Sequence, residues 1–128
     1  MDKPDADRSR IEAVIEDYFQ GMYHSDVERL SRAFHPDGRI TGYDEGKLIN
    51  GPIAAFIQFI GGAAAPVDEG EAFDMEILAI DVAGDAATVK VRDVYKGLNF
   101  VDFLTLLKFE DGWRIVNKTF HHAPRDSA

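Results

Sequence analysis

Asp102–Phe109 (DFLTLLKF), Glu110-Asp111-Gly112 and Trp113–His121 (WRIVNKTFH) read as two long strands joined by a turn. Side chains two positions apart lie on the same face of a strand. The first strand is apolar at odd and even positions, which predicts burial on both faces. The second strand alternates, and its odd positions are Trp113, Ile115, Asn117, Thr119 and His121. A row that begins apolar and ends polar is typical of a cavity mouth, so the pair predicts a small-molecule pocket.

The composition limits the class of protein. With 128 residues the chain fits one domain, and 45% hydrophobic residues suffice for a core. No segment approaches the roughly 20 apolar residues that a membrane span needs. The N-terminus is polar and acidic, unlike a signal peptide. The absence of cysteine excludes disulfides and thiolate chemistry and fits a cytoplasmic protein.

The net charge of −9 argues against nucleic acid and membranes as partners. Both surfaces carry phosphates that a protein neutralises with Lys and Arg, and here these residues are scattered without a basic stripe. We therefore expect a small molecule, rather than a polyanion, to be the ligand.

Three helices are predicted before the long strands. Ser9-Arg10-Ile11-Glu12 is a capping box, and apolar residues then recur at helical spacing to Met22. Ser25-Asp26-Val27-Glu28 begins a second helix, which His35-Pro36-Asp37-Gly38 ends. Asn50-Gly51-Pro52 begins a third.

The remaining segments predict strands, and the whole order predicts an α+β domain over residues 9–122, with tails at 1–8 and 123–128. A loop rich in small residues, 61–71, is expected to act as a mobile lid over the pocket. The predicted strands are 39–44, 47–49, 72–82, 86–96, 99–110 and 113–122.

This order resembles the nuclear transport factor 2-like superfamily over residues 9–122. The similar segments are YFQGMYHSD (18–26), AFHPD (33–37) and, above all, the final strand pair. Within the superfamily the chain is most similar to the small bacterial lumazine-binding and SnoaL-like proteins. The resemblance implies a cone in which three N-terminal helices pack on a curved, mainly antiparallel sheet and enclose a pocket.

The ketosteroid isomerases of this superfamily allow a comparison by residue. Their helix-borne tyrosine corresponds to Tyr18, but their aspartate base falls on Gly42 and their second oxyanion donor falls near Thr105. Because two of the three roles are missing, steroid isomerisation by that mechanism is not expected, although one tyrosine donor remains.

Asp93 is the main candidate for chemistry, because it shares a strand face with Val89, Val91 and Tyr95. A buried carboxylate needs partners, or its pKa rises. Asp93 with His121, and Tyr18 as a hydrogen-bond donor, would form a catalytic acid/base site. Alternatively, Asp93 is a structural polar group or lies at the rim in water.

The predicted pocket suits a flat, mostly apolar ligand. No metal or cofactor is expected, since the four histidines lack ligand spacing. The predicted ligand contacts are Met22, Phe34, Tyr43, Phe56, Phe59, Val91, Tyr95, Phe103, Thr105, Asn117 and Thr119.

A second apolar row on the other sheet face predicts a homodimer, as the resemblance also implies. Its predicted contacts are Phe100, Leu104, Leu106, Val116 and Phe120.

Two functions stay open at this point. The first is a small-molecule-binding protein with isomerase, dehydratase or cyclase-like acid/base activity. The second is a non-catalytic dimeric module that binds a ligand or a protein. No nucleophile elbow, P-loop or dinucleotide fingerprint is present.

Overall fold

The structure is a computed structural model that describes residues 4–124, with side chains from residue 6 onward. Three α-helices precede most of the strands, as predicted. In chain order the elements are α1 (Pro4–His24), α2 (Val27–Ala33), β1 (Phe34–Asp44), β2 (Lys47–Pro52), α3 (Ile53–Gly61), a 3₁₀ helix (Pro66–Glu69), β3 (Met75–Ala83), β4 (Ala86–Tyr95), β5 (Leu98–Phe109) and β6 (Gly112–Pro124).

The strands form one mixed sheet in the order β2-β1-β6-β5-β4-β3. Every neighbouring pair is antiparallel except β1 and β6, which are parallel. Register shifts interrupt three of the ladders, and such bulges bend strands and increase their twist. The helices pack on the concave side, here called the inner face, and the predicted α+β cone is confirmed.

The first helix begins earlier than predicted, because its first turns are anchored to the sheet. Trp113 Nε1 donates to Asp7 Oδ1 at 3.2 Å, and Lys108 Nζ lies 3.0 Å from the same oxygen. A proline is well suited to the first turn of a helix, where its missing N–H costs nothing. The predicted N-terminal tail is therefore wrong from Pro4 onward, and residues 1–3 lie outside the described residues. At the other end β6 continues to Pro124, and the rest of that predicted tail also lies outside them.

A bulge in β6 decides which side chains face the cavity. Leu106 pairs with Ile115 but Thr105 pairs with Asn117, so Val116 is an extra residue. Each inserted residue exchanges the two faces of a strand beyond it. Trp113 and Ile115 are buried before the bulge, and the even positions Lys118, Phe120 and His122 face inward after it. The predicted inward placement of Asn117, Thr119 and His121 is therefore wrong.

The neighbouring strand β5 is buried on one face only within the single chain. Leu104 and Leu106 are buried, whereas Phe103 and Leu107 are 50% and 41% exposed on the opposite, outer face. The prediction that both faces of this strand are buried is thus wrong for the protomer.

The residues predicted to form the homodimer contact do not lie together on the outer face. Leu104 and Leu106 belong to the core, Phe100 and Phe120 line the cavity, and Val116 is the half-buried bulge residue. The homodimer itself stays a prediction, and its contacts would have to come from outer-face residues such as Phe103.

The loop predicted as a lid is fastened along the rim of the cone. Tyr23 donates its hydroxyl to the Glu71 carbonyl oxygen at 2.6 Å, and the Glu71 carboxylate accepts from the backbone N–H groups of Lys96 and Gly97. Lys96 Nζ also lies 2.8 Å from a Glu69 carboxylate oxygen. These contacts tie α1, the loop and the β4–β5 turn together. Among residues 4–124, no helix is long and apolar enough to cross a membrane.

Candidate functional site

A cavity of about 240 Å³ lies between the helices and the inner face of the sheet. Its walls are mostly apolar, with aromatic rings from α3, β5 and β6. A lining of this kind is suited to a small organic molecule with few polar atoms. The walls include Met22, Ile40, Phe56, Phe59, Phe100 and Phe120.

Four polar side chains, which we call the buried quartet, meet beside these apolar walls. They are Tyr18 of α1, Asp93 of β4, Asp102 of β5 and Lys118 of β6. The first three are fully buried and Lys118 is 2% exposed. Asp93 and Lys118 line the cavity, while Tyr18 and Asp102 lie behind them. Charged groups are rarely buried unless paired, so this cluster is the chief chemical feature of the fold.

The sheet register explains why the three strand residues meet. Val91 lies opposite Asp102, and Leu104 lies opposite Lys118. Asp93 and Lys118 are therefore diagonal neighbours of Asp102 on the same face, one from each adjacent strand. Tyr18 reaches the group from α1, where its ring packs edge-on against Phe34 at a centroid distance of 5.7 Å.

A hydrogen-bond chain links three members of the quartet. Lys118 Nζ donates to the Tyr18 hydroxyl at 2.7 Å, and that hydroxyl donates to Asp102 Oδ2 at 2.6 Å. Burial raises the pKa of Tyr18 well above its ordinary value, and the charge of the nearby Asp102 carboxylate raises it further. Tyr18 thus stays a neutral phenol that joins an ammonium to a carboxylate.

Asp93 and Asp102 are two buried carboxyl groups on adjacent strands of the inner face. Among the described residues, neither Asp93 oxygen nor Asp102 Oδ1 has a conventional N–H or O–H donor. Two carboxyl groups can bond only if one is protonated, and a hydrogen bond to Asp102 is one cause that raises the pKa of Asp93. The largest cause is burial, followed by the charge of Asp102, and the cations of Lys118 and Arg92 oppose both. Burial beside Asp102 therefore favours the protonated, neutral form of Asp93.

The mouth of the cavity carries a second polar group. His122 Nε2 lies 3.0 Å from Asp44 Oδ1, and both residues line the opening. Tyr95 stands nearby with a buried hydroxyl, and burial raises the pKa of this phenol. His122 thus occupies the position at the mouth that was predicted for His121.

The structure brings together only part of the predicted site. Asp93 and Tyr18 belong to the quartet, but His121 is exposed on the outer face. Of the predicted ligand contacts, Met22, Phe56, Phe59 and Tyr95 line the cavity. The others lie elsewhere: Phe34 and Val91 are in the core, Tyr43 is 66% exposed, and Phe103, Thr105, Asn117 and Thr119 are on the outer side of the sheet.

Sequence reasoning missed Asp102, Lys118, His122, Phe100 and Phe120 as inner-face residues. One signal was available for β6, where the adjacent apolar pair Ile115-Val116 interrupts the alternation. Beyond this pair the aromatic residue Phe120 stands at an even position. This pattern is typical of a strand in which a bulge moves the even-numbered side chains to the buried face.

Gly42 shows why the isomerase base is missing. A Cβ atom at this position would lie 2.7 Å from both the Phe120 ring and the Phe120 carbonyl oxygen. An aspartate there would have to displace the backbone of β6. Among the described residues, no cluster of three or more His, Asp or Glu side chains could hold a metal ion.

A protein-family model described as putative lumazine-binding matches residues 6–121. The chain belongs to this family. A curated relative named aldolase FrzH, from a Cladobotryum species, is 30% identical over 110 residues, covering 84% of this chain and 85% of the relative.

Solved structures of similar chains place the family in the nuclear transport factor 2-like fold. A protein of unknown function from Silicibacter pomeroyi has a TM-score of 0.87 at 30% identity, covering 95% of this chain and 100% of its own. One from Shewanella baltica has a TM-score of 0.86 at 30% identity, covering 97% and 99%. The predicted superfamily is thus confirmed.

Proposed function

We propose that this putative lumazine-binding family protein binds a flat, mostly apolar carbonyl compound and catalyses proton transfer that makes or breaks a carbon–carbon bond, as an aldolase does. The observation that supports this is an acid pair, Asp93 and Asp102, at the wall of an apolar cavity. A carboxyl group with a raised pKa is a stronger base, once ionised, than an ordinary carboxylate.

The chemistry can be written for cleavage of a β-hydroxyketone. Asp93 reacts in its ionised form: its carboxylate takes the proton of the β-hydroxyl group, and the bond between the α and β carbons breaks to give an aldehyde. The electron pair of that bond forms an enolate, whose oxygen is stabilised by the positive charge of Lys118. Asp93 then returns its proton to the enolate carbon. No further reactant is needed.

The similarity to a relative named as an aldolase supports this reaction class. It covers 84% of this chain and 85% of the relative. The apolar walls support the choice of a flat aromatic substrate, because they offer rings rather than hydrogen-bond donors to most of the ligand.

The test is retro-aldol cleavage of a fluorogenic β-hydroxyketone whose aromatic part is a methoxynaphthalene. The wild-type protein is expected to release the fluorescent aldehyde, and Asp93→Asn is expected to lower kcat/KM by about 100-fold or more. His121→Ala is the matched control, since this residue is exposed on the opposite face, and its activity should equal that of wild type. Cleavage at the same rate by wild type and Asp93→Asn would contradict the proposal.

A second candidate is non-catalytic binding of a flat heteroaromatic ring system. The family description, lumazine-binding, and the rings of Phe56 and Phe59 favour it. Lumazine at a hundredfold excess over Kd should then stabilise the protein by about 2.7 kcal/mol in a thermal-shift experiment. The shift should shrink in Phe56→Ala but not in Phe103→Ala, which alters the outer face. A shift unaffected by Phe56→Ala would place the ligand elsewhere.

A further inference from the structure

Lys118 is a primary amine buried against the ligand cavity. Its side chain is 2% exposed, and Nζ lies 4.3 Å from the centroid of the Phe56 ring and 6.0 Å from that of Phe100. Both rings and Lys118 itself line the cavity. A ligand held between these rings therefore lies beside the amine nitrogen.

The polar contact of this amine is also unusual. Nζ donates to the hydroxyl of Tyr18, a neutral phenol, and the carboxylate of Asp102 lies one hydrogen bond further on. A lysine that served only to neutralise a buried carboxylate would gain most by bonding it directly. Here the phenol separates the two charges and leaves the amine facing the cavity.

We propose that Lys118 is a nucleophile that condenses with the carbonyl carbon of the substrate to form an imine. This inference rests on the proposed function, because it requires a carbonyl ligand. Lysines in apolar pockets are a recurrent means of carbonyl activation, since a protonated imine withdraws electrons more strongly than a ketone.

The hydrogen-bond chain supplies a route for the proton that the amine must lose. Nζ passes a proton to the Tyr18 oxygen while Tyr18 passes its own proton to Asp102. The phenol is unchanged at the end, and the ammonium–carboxylate pair has become a neutral amine and a carboxylic acid. A buried environment tolerates this neutral form better than it tolerates two charges.

The condensation balances with the groups present. The nitrogen lone pair attacks the carbonyl carbon, and the oxygen becomes a hydroxyl by taking a proton from the nitrogen. Asp93, the neutral acid lining the cavity, protonates that hydroxyl, which leaves as water. The products are a protonated imine, one water molecule and the Asp93 carboxylate, which is then the base for the carbon–carbon step.

The test traps the imine by reduction. Wild-type protein is incubated with a methoxynaphthaldehyde and sodium cyanoborohydride, whose hydride converts a protonated imine into a stable secondary amine. Intact mass should show one adduct per chain, and peptide mapping should locate it on Lys118. Lys90 serves as an internal control, because it is an exposed lysine on β4. The adduct should be lost in Lys118→Arg, which keeps the charge but cannot form an imine.

Adducts spread over exposed lysines, with the Lys118 peptide unlabelled, would overturn the inference. The mapping uses the wild-type chain, so this outcome does not depend on the folding of a variant. Retro-aldol cleavage retained by Lys118→Arg, without a trapped adduct, would overturn the imine but leave acid/base catalysis intact. A Lys118 adduct without any retro-aldol cleavage would support the imine and contradict the proposed function.

Discussion

Replacing Lys118 with methionine is expected to lower the free energy of unfolding by about 3 kcal/mol or more at neutral pH. Methionine matches the length of the lysine stem, so the main change is the loss of one buried charge. The Asp102 carboxylate then stays buried without the cation that offsets it through Tyr18. Urea unfolding followed by circular dichroism measures the loss as a lower midpoint at an unchanged slope.

Two further variants test whether charge is the reason. Lys90→Met makes the same replacement on an exposed part of β4 and should change stability by no more than about 0.5 kcal/mol. Adding Asp102→Asn to Lys118→Met should recover part of the loss, because the unpaired carboxylate is removed too. Equal losses for Lys118→Met and Lys90→Met would refute the structural role assigned to the quartet.

The order of elements was predictable because it depends on local patterns. Apolar residues at helical spacing identified α1, and long apolar or alternating runs identified β3 to β6 near their true bounds. The inward placement of Asp93 was also correct. No register shift interrupts the pairing of β4 with β5, so Val89, Val91 and Asp93 stay on one face of the strand.

The inner face of β6 was not predictable from that strand alone. A bulge is a property of how two strands pair, and the single extra residue Val116 reversed every assignment beyond it. His121, expected in the pocket, lies outside, while Lys118, expected outside, lies in the cavity wall.

Two members of the buried quartet, Asp102 and Lys118, were not predicted to face inward. Asp and Lys are almost never fully buried unless paired, so charges within an apolar strand favour an outer position. The pairing that overrides this prior is long-range, because Tyr18 bonds Asp102 and Lys118, which follow it by 84 and 100 residues. No local pattern of the sequence records those contacts.

The second large effect is expected from Asp93→Asn, which should raise stability at alkaline pH while it removes activity. The pKa of Asp93 is raised in the folded protein above the ordinary value of 3.8. At a pH between 3.8 and the raised pKa, Asp93 keeps its proton in the folded protein but has lost it in the unfolded chain. The free energy of unfolding therefore falls as the pH rises through this range. Asp93 alone lowers the free energy of unfolding by at most about 1.4 kcal/mol per pH unit in this range. Well below pH 3.8 it is protonated in both states and contributes no pH dependence.

Asparagine resembles the protonated acid, because its amide can donate to Asp102 at every pH. The difference in unfolding free energy between Asp93→Asn and wild type should therefore grow in favour of the variant as the pH rises from about 4 toward the raised pKa of Asp93. Asp81→Asn, which changes an exposed carboxylate on β3, should show no such growth. Urea unfolding at several pH values measures both differences.

Read together with retro-aldol cleavage, this difference separates the two interpretations of Asp93. A group that costs stability but supports the reaction is the expected signature of a functional site, since selection for folding alone would replace it. A variant less stable than wild type at every pH, with cleavage unchanged, would instead identify Asp93 as a structural polar group. Because the aspartate-to-asparagine change adds no bulk, neither outcome can be attributed to a gap or a clash in the core.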